Sequence, residues 1–466
     1  MRFRILTTLA AASLASAAVA GDLTPPGAPA PSMKTLDQVE PRVPLGSLTT
    51  PGDADSVYRI TKPGSYYLTD DINLTFGKRG VEIASGNVTL DLAGFVIRAT
   101  QNGTLDGVAV VSGTTLPNIS VGNGAVENVD GAGVDLFSSE ASIIHDMRIS
   151  SVAGDGVRAG FAGTIERVHI REGAGDAFDL TNFTTLRDCF ARDNAGHGFV
   201  GSMNATRCVA ERNGGSGFVG GGTLMSCTSY LNGGNGFYFS SPTAIENSIA
   251  GRNTENGFVA AIDVVVATNC SADRNEEAGF YGISGGAWVA TNCSATDNIE
   301  EGFWGNPETV LTSCSSSGNG SHGYYLRAGM VQSSVSSSNG GDGVRVFSTF
   351  AVTVRDCTIE DNSGFGVILT TEADNSLIAG NRISGHRTAG VGVGIRIEGN
   401  ANAVHIDGNY TNENLVGIQV LTAGNTIINN RMSDNINAPI SVVAGNDVAP
   451  LSSAAAATSP VANIFN

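Results

Sequence analysis

One repeated unit constrains this chain more than any other feature of its sequence. A turn that ends in glycine is followed by a large apolar residue and then by a short alternating stretch. The apolar residue recurs at Val134, Val157, Phe178, Phe199, Phe218, Phe237, Phe258, Phe280, Phe303, Tyr324, Val344, Val367, Ile395 and Ile418. Most intervals are about 21 residues, and no helical period accompanies them. A unit this short cannot bury its own apolar face, so the spacing predicts stacked coils of short strands.

Two polar columns keep a fixed distance from the apolar residue. Five residues before it stand Asn194, Asn213, Asn232, Asn253, Asn275, Asn298, Asn319, Asn339 and Asn362. Ten residues before it stand all the cysteines, Cys189, Cys208, Cys227, Cys270, Cys293, Cys314 and Cys357, with Ser248 and Ser334 in the two remaining coils. Stacked asparagines can pass an amide hydrogen bond from coil to coil, and Asn tolerates the left-handed backbone of a sharp turn. We therefore expect a structural asparagine ladder and free, buried thiols rather than a metal site or disulfides.

The strand pattern extends beyond the regular repeat. From Ser56 to Arg98 short alternating stretches are bounded by glycines, as in strands and turns. We expect an all-β chain that forms one right-handed parallel β-helix, a single-stranded solenoid of about fifteen coils over residues 56–445, since parallel crossovers are right-handed. Residues 21–55, rich in Pro and Thr, are expected to form a linker or strap, and residues 446–466 a C-terminal tail.

The N-terminus has the layout of a cleaved secretory signal. Arg2 and Arg4 precede an apolar stretch from Ile5 to Ala18, and small residues end at Ala20. About fourteen apolar residues are too few to span a bilayer, so residues 1–20 are predicted to be removed. No later segment is long enough for a membrane span. The sequence thus predicts an exported protein, extracellular, at the cell surface or in the periplasm.

The charge of the chain excludes one class of partner. The formal net charge is −18, and the only lysines are Lys34, Lys62 and Lys78. A nucleic-acid backbone would be repelled, so no nucleic-acid partner is expected. The ordinary meaning of this acidity is solubility outside the cell.

The coil signature Asn-x-x-x-Gly-[Phe/Val/Ile], present between about residues 130 and 425, resembles that of secreted right-handed parallel β-helix proteins, the pectate-lyase-like superfold. More narrowly, Met33–Arg42, Pro63–Leu68 and Pro460–Phe465 resemble segments of a group of exported bacterial β-helix proteins. The resemblance implies the fold. It implies no particular activity, because one fold supports many functions.

The superfold often hosts polysaccharide lyases, hydrolases and epimerases, but their motifs are incomplete here. No lysine follows Lys78 to act as a lyase base, and no Asp-Pro-His-Asp epimerase motif is present. Gly196–Gly198 resembles a fragment of the polygalacturonase signature, yet Arg396–Glu398 lacks the expected lysine. His197 occupies a turn position that other coils fill with Ser, Asn or Asp, so we expect a structural histidine. No metal, nucleophile or cofactor motif is recognised.

A row of aromatic residues is the first candidate site. One residue after the repeated apolar residue, where side chains should face solvent, stand Tyr238, Val259, Tyr281, Trp304 and Tyr325. Stacked coils are about 4.8 Å apart, so these aromatics would form an exposed platform roughly 19 Å long, suited to sugar faces. The alternative is that a loop or the N-terminal strap covers them.

Acidic residues in the adjoining turns are the second candidate site. They are Glu255, Glu277 and Glu300, with Glu276 and Glu301 beside them. Stacked carboxylates are fully hydrated, hold a cation such as Ca²⁺, or include one group with a raised pKa. Three functions stay open: a protein that binds a polysaccharide or cell-surface glycan through Tyr238, Tyr281, Trp304 and Tyr325; a lyase or glycoside hydrolase that uses the glutamates; and a structural surface protein without ligand.

Overall fold

A computed structural model describes residues 41–181, 183–283, 285–347 and 350–465. Contacts divide the chain into residues 1–42 and 43–466, and every strand below belongs to the second unit. None of the described residues is helical, so none forms a helix able to cross a membrane. The predicted signal peptide, residues 1–20, and residues 21–40 of the predicted linker lie outside the described residues.

The second unit is a right-handed parallel β-helix of about 18 turns. Each strand pairs in parallel with the equivalent strand of the next coil, so that three sheets run along the solenoid. The predicted fold class is confirmed. The predicted number of coils, about fifteen, is slightly lower than the number observed. The additional coils lie at the two ends, where the repeat is less regular.

Sheet 1 contains Ser56–Ile60, Arg79–Ile83, Val108–Val110, Val134–Glu140, Val157–Phe161, Phe178–Leu180, Phe199–Thr206, Phe218–Met225, Phe237–Glu246, Phe258–Ala260, Phe280–Gly282, Phe303–Gly305, Tyr324–Leu326, Val344–Val346, Val367–Leu369, Val393–Ile397, Val416–Val420 and Ala438–Val442. Sheet 2 contains Val43–Pro44, Gly64–Tyr67, Val88–Asp91, Ile119–Glu127, Ile143–Ser150, Thr164–Arg171, Thr184–Arg187, Asp263–Thr268, Gly286–Thr291, Val310–Thr312, Gly329–Gln332, Val352–Arg355, Leu377–Ala379, His405–Asp407, Thr426–Ile428 and Asp447–Val448. Sheet 3 contains Ile72–Leu74, Val96–Ala99, Phe190–Arg192, Val209–Glu211, Thr228–Tyr230, Ile249–Gly251, Ser271–Asp273, Ser294–Thr296, Ser315–Ser317, Val335–Ser337, Thr358–Glu360, Arg382–Ser384, Tyr410–Asn412, Arg431–Ser433, Leu451–Ser453 and Asn463–Phe465. The longest strands continue from one sheet into the next, and Leu116–Pro117 pairs with the end of Val134–Glu140.

The repeated apolar residues form the core of the solenoid. Phe237 and Phe239 are both buried, as the alternation of a strand predicts. Between Phe178 and Phe303 successive rings stack with centroids 4.6–4.9 Å apart and planes within 4–9° of parallel. All seven cysteines are buried and free, which confirms that the cysteine column is part of the core.

The predicted asparagine ladder is present. From Asn194 to Asn362 each side-chain Nδ2 donates to Oδ1 of the asparagine in the next coil, at 2.8–3.1 Å. The same oxygen accepts the backbone N–H of the preceding asparagine, as between Asn275 and Asn298 at 3.0 Å. The glycine of the signature is needed for this packing. A Cβ on Gly279 would lie 2.7 Å from the carbonyl oxygen of Gly302 and 2.9 Å from Nδ2 of Asn298.

Histidine takes the place of asparagine once in this ladder. His386 is fully buried, with Nδ1 3.0 Å from Oδ1 of Asn414 and Nε2 3.4 Å from Nδ2 of Asn362. A neutral imidazole with its proton on Nδ1 provides one donor and one acceptor, as an amide does. Burial lowers the pKa of His386 to about 4, so the side chain is neutral at pH 7.

A second ladder continues the cysteine column towards the C-terminus. Nδ2 of Asn381, Asn409 and Asn430 each donates to Oδ1 of the next asparagine, and the series ends at Asn463, with distances of 2.9–3.1 Å. Asn463 belongs to the predicted tail, and Asp447–Val448 and Asn463–Phe465 pair with the preceding coil. At the other end Val43–Pro44 pairs with Gly64–Tyr67. Short strands without the apolar repeat therefore continue the sheets on both sides of residues 56–445.

Candidate functional site

The turn from sheet 3 into sheet 1 has a third side-chain ladder. Two residues before the repeated apolar residue, a short polar side chain accepts the backbone N–H of the next coil. Asp176 accepts from His197 at 2.6 Å, and Nδ1 of His197 accepts from Ser216 at 2.8 Å. The series continues through Ser216, Asn235 and Asn256. His197 is thus a structural turn residue, as its column predicted.

This turn ladder is interrupted in two consecutive coils. The methyl side chain of Ala278 cannot accept a hydrogen bond. Oε1 of Glu301 accepts a hydrogen bond from the hydroxyl of Ser321 at 2.9 Å instead of one from a backbone N–H. The ladder resumes with His322, whose Nδ1 accepts the N–H of Asp342 at 2.9 Å. Asp342 then accepts from Phe365 at 2.8 Å. The interruption is therefore local, and Glu301 is left 8% exposed beside it.

One position earlier in the same turn, three glutamates replace glycine or serine. Other coils have Gly196, Gly215, Gly234, Ser321, Gly341 and Gly364 there. We call Glu255, Glu277 and Glu300 the carboxylate column. The N–H of Glu300 donates to the carbonyl of Glu277 at 3.3 Å, so these two residues stack on neighbouring coils as the sequence predicted. Glu276 is exposed one residue away from the column.

Burial and mutual repulsion act on the carboxylate column. Burial, followed by the charges of Glu300 and Glu255, raises the pKa of Glu277 above its ordinary value. Nδ2 of Asn256 donates to Oε2 of Glu277 and opposes this shift. Burial and the neighbouring carboxylate of Glu301 raise the pKa of Glu300. Glu277 and Glu300 therefore hold a proton at higher pH than isolated glutamates do.

The predicted aromatic residues lie in one outward row of sheet 1. Tyr238 pairs with Val259, Val259 with Tyr281, Tyr281 with Trp304, and Trp304 with Tyr325. We call the four aromatic members the aromatic row. Their side chains are half-buried rather than fully exposed, and Val259 is only 1% exposed. The four aromatic side chains therefore keep part of their surface open to solvent, while Val259 between them does not.

Within the aromatic row, the ring of Trp304 is perpendicular to those of its neighbours Tyr281 and Tyr325. Tyr281 and Trp304 have centroids 5.0 Å apart and planes at 87°, and Trp304 and Tyr325 have values of 4.8 Å and 83°. Edge-to-face contacts satisfy the charge distribution of aromatic rings, and outward side chains have the room to adopt them. The expected flat platform is therefore replaced by a ridged surface with alternating ring faces and edges.

Two further residues belong to this surface and were not identified from the sequence. Phe347 stacks on Tyr325 with centroids 4.0 Å apart and planes at 8°, and its centroid is 6.2 Å from that of Trp304. His322 stacks on the same Tyr325 at 5.3 Å. Phe347 belongs to no repeating column, so periodicity gave no signal for it. His322 belongs to the turn ladder. Its place in the coil after that of Trp304 is a signal in the sequence that could have identified it.

The aromatic row and the carboxylates form one surface. Burial, followed by the charges of Glu277, Glu300 and Glu301, raises the pKa of Tyr281. At the N-terminal end of the row an open groove is lined by His197, Tyr238 and Glu255. Among the described residues, no group of three or more His, Cys, Asp or Glu side chains is arranged to hold a metal ion.

The fold and this site define a right-handed parallel β-helix protein with a ridged aromatic and acidic surface on sheet 1. A family model described as a right handed beta helix region matches residues 302–453. No curated protein matches the chain significantly.

Solved structures of several proteins are similar to this chain at low identity. The A-module of a mannuronan C-5 epimerase from Azotobacter vinelandii is 20% identical with a TM-score of 0.27, and the match covers 78% of this chain and 91% of that one. A double mutant of a periplasmic alginate epimerase is 13% identical with a TM-score of 0.32, covering 75% and 76%. The catalytic unit of an α-1,3-glucanase from Streptomyces thermodiastaticus is 13% identical with a TM-score of 0.20, covering 87% and 62%. Identities and TM-scores this low carry no information about the chemistry of this chain.

Proposed function

We propose that this protein is exported and binds a polysaccharide on sheet 1 through Tyr238, Tyr281, Trp304 and Tyr325. One observation carries the proposal. The structural rules of the repeat are broken at Glu277, Ala278, Glu300 and Glu301 in the two coils that contribute Tyr281 and Trp304, and at Glu255 in the coil before them. Residues that depart from a structural pattern without a packing reason are candidates for function.

The chemistry of this surface suits a sugar polymer. Ring faces contact the apolar faces of pyranose rings, while phenol and carboxylate groups accept hydrogen bonds from, or donate them to, sugar hydroxyls. Coils about 4.8 Å apart offer a repeating series of contacts along an extended chain. The carboxylate column repels anions, so a neutral or amino-substituted glycan fits better than an acidic one.

A second candidate function is cleavage of the bound glycan. The raised pKa of Glu277, caused by burial and by two neighbouring carboxylates, favours this candidate. A carboxyl group with a raised pKa beside a second carboxylate is the arrangement that glycoside hydrolysis uses.

A glycan array followed by product analysis on each bound polymer tests these functions together. Binding without products supports the first candidate. Products that disappear in Glu277→Gln but persist in the exposed control Glu276→Gln support the second. If neither binding nor cleavage is found, the protein is structural. Export is tested separately by N-terminal sequencing of the mature protein, which should begin at Gly21.

A further inference from the structure

Arginines on the surface of this acidic protein generally face a carboxylate one coil away. Arg158 lies 2.9 Å from Asp135, and Arg167 lies 2.7 Å from Asp146. Arg207 lies 2.6 Å from Asp188. Alternation of this kind is expected in a chain of net charge −18, since opposite charges on neighbouring strands stabilise a sheet.

The outer face of sheet 3 departs from this alternation in three consecutive coils. Arg148, His169 and Phe190 are paired in one row. In the adjacent row Arg171 is paired directly with Arg192. Like charges opposite each other on neighbouring strands are destabilising, so this arrangement is unfavourable in the absence of a ligand.

Carboxylates compensate only part of this cluster. Arg171 lies 3.6 Å from Glu172, beyond hydrogen-bond distance. Arg192 donates a hydrogen bond to Asp193 at 3.1 Å and lies 3.9 Å from Glu211, its partner in the next coil. Arg148 has no ion-pair partner in the part of the chain that the structure describes.

The same side chains line a groove of about 280 Å³. Its lining includes three arginines, the imidazole of His169, the half-buried ring of Phe190 and one carboxylate, that of Glu127. The rings of His169 and Phe190 have centroids 5.9 Å apart. The groove therefore combines several guanidinium groups with one aromatic wall, on a different sheet and in different coils from the aromatic row.

We infer that this groove binds a phosphate ester of a sugar, with the phosphate between Arg171 and Arg192 and the sugar ring against Phe190. Guanidinium groups pair with phosphate oxygens in a planar, two-pronged geometry. Three arginines from successive coils provide more donors than the two oxygens of a carboxylate can accept, whereas a tetrahedral phosphate has oxygens for each of them. The aromatic wall provides a contact for the apolar face of the sugar.

Isothermal titration calorimetry with glucose 1-phosphate, inorganic phosphate and glucose tests the inference. The wild type should bind glucose 1-phosphate more tightly than either of the other two. The double variant Arg171→Gln, Arg192→Gln should weaken this binding at least about tenfold, while Arg207→Gln, a control outside the groove, should leave it unchanged. Phe190→Ala should weaken binding of glucose 1-phosphate and leave binding of inorganic phosphate unaltered.

Several outcomes would overturn the inference. They are the absence of glucose 1-phosphate binding to the wild type, equal losses in the double variant and in Arg207→Gln, and inorganic phosphate binding as tightly as the sugar phosphate. Tighter binding of a single-stranded oligonucleotide would assign the groove to another ligand class. Thermal unfolding excludes a folding defect, because removal of two like charges should not lower the melting temperature of the double variant.

Discussion

The inner and outer columns of sheet 1 use the same strands and pack their aromatic rings in opposite ways. Inside, Phe280 and Phe303 stack with centroids 4.6 Å apart and planes at 5°. Outside, one residue further along each strand, Tyr281 and Trp304 are perpendicular at 87°. Inside the solenoid, close packing against neighbouring coils and the facing strands fixes the orientation of each ring. Outside, the rings are free to adopt the edge-to-face contact that aromatic rings prefer. The packing of the inner rings is thus set by the repeat itself. The packing of the outer rings is not needed for the stacking of the coils.

The largest effect expected from this comparison is in the inner column. Phe303→Ala leaves a cavity in a fully buried stack and should lower the free energy of unfolding by about 3–5 kcal/mol. Chemical denaturation of the variant and the wild type measures the difference. A loss below about 1 kcal/mol would mean that the stacked rings do not form a close-packed core.

The inner ladder should also respond to pH through His386. Its pKa is about 4 when folded and 6.5 ordinarily, so the unfolded chain takes up the proton first as the pH falls. Stability is complete above about pH 6.5 and declines towards pH 4, by about 3 kcal/mol in total.

His386→Asn is the matched control, because an amide occupies this position in other coils and does not titrate. Denaturation midpoints of both proteins are compared from pH 7 to pH 4. The variant should lose less stability than the wild type over this range. Identical pH profiles would show that His386 does not contribute.

A single rung of the asparagine ladder should have a smaller effect. Asn275→Ala leaves donors and acceptors of two neighbouring coils without partners, which costs about 1–3 kcal/mol. The denaturant midpoint should fall while the circular dichroism spectrum retains its β-sheet signal. An unchanged midpoint would show that the hydrogen bonds of Asn275 to Asn253 and Asn298 add nothing to stability.

The smallest effect on folding is expected in the outer column. Trp304→Ala removes edge-to-face contacts with Tyr281 and Tyr325 and should cost on the order of 1 kcal/mol of stability. Affinity for a bound glycan should nevertheless weaken by about 1–3 kcal/mol. Titration with the glycan identified on the array measures this loss. If Trp304→Ala destabilises the fold as much as Phe303→Ala, or leaves affinity unchanged, the outer column is structural.

The fold was predictable from the sequence because the repeat acts on every coil. The spacing of asparagine and cysteine from the apolar residue predicted the ladder and the buried thiols. The position of His386 in the ladder was not predictable, because residues 387–392 lengthen its turn and move it out of the asparagine column. The number of coils was also underestimated, because the strands of the end coils lack the regular spacing.

The candidate site was predictable in register but not in geometry. Strand alternation placed Tyr281, Trp304 and Tyr325 in one row and Glu277 and Glu300 in one turn column. The angle between two rings depends on side-chain rotamers, which a periodic pattern does not specify. The contribution of Phe347 depends on where the chain turns after Val344–Val346, and that turn follows no repeat.

The asparagine ladder gives the solenoid a direction. Within the ladder Nδ2 of each asparagine donates to Oδ1 of the next asparagine towards the C-terminus, and it also donates to a backbone carbonyl of the preceding coil, as Asn275 does to Ala250. At the N-terminal end the first oxygen, that of Asn194, accepts from the backbone of Gly173. Towards the C-terminus the last amide of the second ladder, that of Asn463, donates to the carbonyl groups of Ile427 and Ala449. The asparagine ladders therefore end in different groups, in an amide oxygen that accepts a backbone N–H at the N-terminal end and in an amide N–H that donates to backbone carbonyls towards the C-terminus.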